Sequence, residues 1–177
     1  TTSPLWAITG AFGDNLNVSA QQIAQTLPKL LAKNDLEDLQ SLGIYINYNG
    51  YGANISDLHF APDDLYKKLS VYKNPLDAIT DKDSVYQQLK IAYREDNDHI
   101  TDLKAEYKTE KTAVFILPNK NWARRISGVY SNDLVNQYPD RAHAVLTQNN
   151  NKGYLVSVRA PLNNKTGADE LCRQFES

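Results

Sequence analysis

Apolar residues recur at three- and four-residue spacing through the first hundred positions, then change to short continuous runs after residue 111. Ile23, Leu27, Leu30 and Leu31 follow a helical period behind Ser19, a capping residue, with Pro28 placed to distort or shift that helix. Leu36, Leu39 and Leu42 predict a second, short helix capped by Asp35 and Asp38 and stopped at Gly43, after which Ile44-Tyr45-Ile46 reads as extended. Pro62-Asp63-Asp64 opens a third helix with Leu65, Leu69 and Tyr72 on one side, and Pro75 ends or follows it. The longest helical pattern runs over 81–108, with Val85, Leu89, Ala92, Tyr93, Ile100, Leu103 and Tyr107 in step and the opposite face charged. It predicts a connector between two lobes.

From Thr112 the pattern is strand-like. Ala113-Val114-Phe115-Ile116-Leu117 is a continuous apolar run, as in a strand covered on both faces. A helix over 122–137 follows, then a hairpin of 142–147 and 153–159 around an Asn-rich turn, then a helix over 166–175. The fold class is therefore α/β: a helical N-terminal part and long connector helix lead to a small mixed-sheet lobe of at least three strands, with the division near 108–111. Two segments fall outside these patterns. Leu5-Trp6-Ala7-Ile8 is a buried apolar segment that runs into the turn-rich 10–15, and 47–54 (Asn-Tyr-Asn-Gly-Tyr-Gly-Ala-Asn) is an ordered loop.

With 177 residues the chain has room for one full domain, or for one domain plus part of another. A hydrophobic fraction of 41% and a charged fraction of 23% are ordinary for a folded, water-soluble chain. The net charge of -2 offers no overall attraction to a polyanion, so phosphate binding must come from a local group of Lys and Arg. No apolar run reaches the ~18 residues of a membrane span, the start lacks a signal-peptide layout, and Cys172 is alone, which makes the cytoplasm the default compartment. The opening Thr1-Thr2-Ser3 and the absence of methionine read as a piece or a processed form of a longer product.

Few residues stand out chemically. Asp14 follows small residues at the end of an apolar segment, where many α/β enzymes present a metal ligand; a turn aspartate bonded to nearby amides is the plainer alternative. The loop at 47–54 brings either backbone amides and tyrosines to a ligand or a tight, packed connection. His59 and His143 have no second ligand at metal spacing and read as structural, and His99 as solvent-facing. The best cluster is cationic: Lys120, Arg124 and Arg125 at the start of one helix, and Arg159 at a strand end. Adjacent arginines point about 100° apart on a helix, so at most one of Arg124 and Arg125 faces a shared site. Cys172 reads as a small core-facing residue.

The order GAFGDN, NYNGYG, DLHFAPDDLY, a long connector, NWARRISGVYSNDL, YLVSVRAP and GADELCRQF resembles DHH-family phosphoesterases with their associated C-terminal domain. The resemblance spans nearly the whole chain. It divides the chain into 1–18, the last motif of the catalytic lobe; 19–111, a helical linker; and 112–177, an incomplete substrate-binding α/β domain. It implies two divalent metal ions, usually manganese, with Asp14 as one ligand and the histidine pair upstream of Thr1. It assigns substrate binding to Arg159 and, less directly, Ser157, to which the cationic cluster adds Arg124, and implies a glycine-rich phosphate-binding loop just after Phe175 that the sequence does not reach. The expected function is hydrolysis of phosphodiester or phosphoanhydride bonds in a small nucleotide, a short oligonucleotide or polyphosphate, which the chain alone would not complete. Expected partners are an anionic phosphate-containing substrate and short single-stranded nucleic acid, with no membrane; assembly into a homo-oligomer stays open. The rival reading is a non-catalytic phosphate- or nucleotide-binding module that signals to a partner.

Overall fold

The computed structural model describes residues 3–174, which form helices in the first part and a small mixed sheet in the second. The chain divides into two compact units, the first running to Glu95 and the second starting at Asp96.

The first unit is helical. Ser3 Oγ accepts from the Leu5 amide and Pro4 occupies the first turn of α1 (Pro4–Gly13), so the apolar run from Leu5 is helical. Helix α2 (Asn17–Gln25) starts two residues before Ser19 and ends before Pro28, which lies beyond the helix and does not distort it. Helix α3 (Lys33–Tyr48) corrects three expectations, because its N-cap is Ala32 rather than Asp35 or Asp38, it passes through Gly43, and it takes in Ile44-Tyr45-Ile46. Gly43 serves here as a contact point. It lies against Gly13 of α1, and its missing Cβ lets the two backbones approach. Once Leu39 and Leu42 are buried against Ile8 and Phe12, that packing overrides the β preference of the residues that follow.

The predicted loop at 47–54 is helical over its first two residues, and its polar groups are used internally. Buried Asn49 accepts from the amides of His59 and Phe60 at 3.1 Å each and donates to the Phe60 carbonyl at 2.9 Å. Tyr48 is fully buried, with its hydroxyl 2.9 Å from His59 Nε2 and donating to the Ala92 carbonyl at 3.2 Å. Helix α4 (Pro62–Ser70) opens at Pro62 as expected. Pro75 begins the next helix, α5 (Pro75–Thr80), where a missing N–H costs nothing and Asn74 supplies the cap.

The long connector is shorter than its pattern. Helix α6 (Val85–Asp98) stops at Asp98, and Ile100 and Leu103 keep the helical spacing while lying in and just after the turn that follows. Tyr107 belongs to a short strand, β1 (Tyr107–Lys108), that pairs antiparallel with β2 (Thr112–Leu117). Helix α7 (Asn121–Gln137) returns the chain so that β3 (Ala142–Gln148) lies parallel to β2, and β4 (Tyr154–Arg159) closes the order β1-β2-β3-β4 antiparallel to β3. Ala113, Phe115, Leu117, His143, Val145 and Thr147 are the buried set, alternating with half-buried Val114, Ile116, Ala144 and Leu146. Phe115 meets Tyr130 of α7 edge-on at 5.4 Å, which places α7 on the buried face. Both faces were expected to be covered; among the described residues the α7 face is the buried one, and the other is half-buried. Helix α8 (Ala168–Arg173) buries none of its residues, Cys172 is half-buried, and the expected helix end at Phe175 lies outside the described residues.

Candidate functional site

The register of β3 and β4 sets the geometry of the second unit. Arg159 lies opposite His143 at one end of the pair, and Tyr154 opposite Gln148 at the other. Ser157 lies two residues before Arg159, on the same face as α7. The half-buried Arg159 is oriented by three neutral oxygens: Nε donates to Asn132 Oδ1 of α7 at 3.2 Å, and Nη1 to Ser157 Oγ at 3.0 Å and the Val158 carbonyl at 3.4 Å. No carboxylate lies within ion-pair distance of it among the described residues. Ser157 accepts from Arg159 and keeps its own O–H to donate. Together they offer charge, fork geometry and a hydroxyl, which suits a phosphate oxygen.

Arg124 is not brought to this point. It donates to Asn119 Oδ1 at 2.6 Å and Asn121 Oδ1 at 2.7 Å, and Asn119 in turn bonds Asn150 at the hairpin tip, 2.7 Å away. That is the opposite end of the sheet from Arg159. Eight residues of α7 separate Arg124 from Asn132, about 12 Å of helical rise. Arg125 turns away and pairs with Asp96. Asn132 carries no signal in the sequence, since its role depends on α7 crossing β4.

Asp14 follows α1 as its exposed C-cap, its amide bonded to the Gly10 carbonyl at 3.0 Å. No group of three His, Cys, Asp or Glu that could hold a metal forms among the described residues. They do not by themselves fit the two divalent ions that the resemblance implies. His59 is committed to Tyr48, and exposed His99 stacks on Trp122 with ring centres 4.5 Å apart.

Next to Asn132, burial pushes the Asp133 carboxyl up from 3.8 to about 6. A raised carboxyl pKa means that the folded chain holds its proton more tightly than the unfolded chain. Asp133 is therefore best tolerated below about pH 4, and stability drains away as pH rises to and through about 6. Asp133→Asn, which does not titrate, is expected to match the parent near pH 4 and to exceed it at pH 7–8 by about 1–2 kcal/mol, a full two-unit shift being reduced because the group is partly solvated. Urea unfolding across this pH range, followed at Trp122, measures the difference; a benefit independent of pH would show that desolvation of the charge is not its source.

The chain matches no family model, no curated protein and no solved structure. No helix among the described residues is long and apolar enough to cross a membrane.

Proposed function

We propose that the chain serves phosphoester or phosphoanhydride hydrolysis, with its second unit holding the phosphate of a small nucleotide, short oligonucleotide or polyphosphate. The observation that carries this reading is Arg159, a half-buried guanidinium positioned by Asn132 and Ser157 and left without a carboxylate among the described residues. The order of segments that resembles DHH-family phosphoesterases supports the same assignment. On this reading Arg159 neutralises the phosphate, Ser157 donates to a second oxygen, and Asn132 keeps the guanidinium from collapsing onto the sheet. The two manganese ions remain part of the proposal: they would supply an activated water, with Asp14 as one of several ligands, the others not being among the described residues.

Arg159→Ala is expected to weaken binding of pyrophosphate and of a short single-stranded oligonucleotide by about 10- to 100-fold, the equivalent of about 1.5–3 kcal/mol for a charge-assisted contact. Arg159→Lys should recover only part of this, because an ammonium cannot reproduce the fork. Titration calorimetry at fixed ionic strength is the measurement. Unchanged affinity in Arg159→Ala, or an equal loss in Arg124→Ala at the far end of the sheet, would remove the assignment.

A further inference from the structure

The second unit contains a cavity of about 710 Å³ that Arg159 does not line. It opens beneath the C-terminal half of α7, and its walls include Lys104, Lys108, Tyr130, Asp133, Arg141 and His143. Its volume suits a small-molecule ligand. Three of these side chains are cationic and one acidic, so the cavity favours an anion even with Asp133 ionised. Arg141 is held over the Tyr138 ring at 4.5 Å and donates from Nε to the Glu110 carbonyl at 3.3 Å, which fixes its guanidinium at the cavity wall.

The deciding feature is His143. It is 2% exposed, and neither Nδ1 nor Nε2 has a hydrogen-bond partner among the described residues. Buried polar groups in folded proteins are nearly always paired, because an unmet one keeps the cost of its lost hydration. An apolar residue would pack at this sheet position without that cost. Burial first, then the nearby Arg141 charge, hold the imidazole below its ordinary value, against a smaller pull from the Arg141 main chain that stops short of a hydrogen bond. The ring is therefore neutral at pH 7, with one N–H to donate and one lone pair.

We propose that this cavity is a second ligand site, for a small oxyanion of the phosphate class that accepts the His143 N–H and is neutralised by Lys104, Lys108 and Arg141. Arg159 does not line this cavity, although its backbone pairs with that of His143, and the proposal does not depend on the hydrolytic reading. Lys104 and Lys108 are exposed and have few packing duties, so changing them should leave the fold intact. His143 contributes both recognition and an otherwise unmet polar group.

The test uses inorganic phosphate on the whole chain, with long-range ¹H–¹⁵N correlation of the imidazole nitrogens as the readout. Phosphate is expected to shift the His143 nitrogens saturably. The half-saturation concentration should rise at least tenfold in Lys104→Ala/Lys108→Ala, fall severalfold in Asp133→Asn, and change less in Arg159→Ala than in the double lysine variant. A His143 signal that does not respond to phosphate overturns the proposal, as does a response lost in Arg159→Ala but kept in the double lysine variant. Failure of Arg159→Ala to weaken pyrophosphate binding would remove the hydrolytic assignment and leave this site standing.

Discussion

Gly43→Ala is expected to destabilise the helical unit by about 3 kcal/mol, although alanine is the better helix former by about 1 kcal/mol. A Cβ at Gly43 would lie 2.8 Å from the Gly13 nitrogen and closer still to the Thr9 carbonyl oxygen. Both are backbone atoms of α1, so no side chain can rotate away. Relief requires α1 and α3 to separate, which loosens Ile8, Phe12, Leu39 and Leu42, all at most 5% exposed. The contact is reciprocal: a Cβ at Gly13 would lie 2.8 Å from the Gly43 carbonyl oxygen. Gly10, also in α1, has nothing within 4 Å of its would-be Cβ, so Gly10→Ala should stabilise by about 0.5–1 kcal/mol. Denaturant unfolding followed by Trp6 fluorescence in a Trp122→Phe background reads the helical unit alone. Equal stabilisation by both substitutions would mean that α1 and α3 do not pack at these glycines.

That pair of glycines also shows where sequence reasoning ran out. Gly43 follows an apolar helical stretch and precedes a β-branched, aromatic triplet, which is the local signature of a helix stop followed by a strand. Its actual role depends on a residue thirty positions away. The sheet was easier to read. Its strands are short apolar runs bounded by turn residues, and β2, α7, β3 and β4 lie within a few residues of their expected limits. Strand β1 was hidden because Tyr107 kept the helical spacing of α6, and its pairing to Val114 is visible only once β2 is in place.

The candidate site was half legible for the same reason. Arg159 and Ser157 are two residues apart on one strand, so their shared face follows from the pleat. Arg124 was grouped with them on residue type alone, and the parallel crossover through α7 carries it to the other end of the sheet. His143 read as structural because it lacks a second metal ligand in sequence. A register that buries it among Ala113, Phe115 and Val145, with both nitrogens unmet, is a property of the fold.

Of the adjacent arginines, Arg125 is expected to carry the largest stability effect in the sheet unit, through its partner. Arg125 Nε donates to Asp96 Oδ2 at 2.7 Å and Nη2 to Oδ1 at 3.0 Å, a fork-on-carboxylate pair whose side chains are 12% and 7% exposed. Such a pair adds little net stability when made, because each charge loses its hydration, but removing one partner leaves the other charge uncompensated in a poorly solvated position. Asp96→Ala should therefore cost about 3–5 kcal/mol. Against a typical total of about 5–15 kcal/mol, that is enough to unfold a substantial fraction of the unit at modest denaturant. Replacing both residues with apolar side chains of similar size, Asp96→Leu with Arg125→Met, should recover most of the loss, since no unpaired charge remains. Amide hydrogen exchange at Ala113, Phe115 and Val145 reports on this core directly. Protection should fall by two or more orders of magnitude in Asp96→Ala and return in the double variant. If Asp96→Ala left those amides fully protected, the pair would be a solvated surface contact; if the double variant were as damaged as the single, the damage would come from lost packing rather than from a buried unpaired charge.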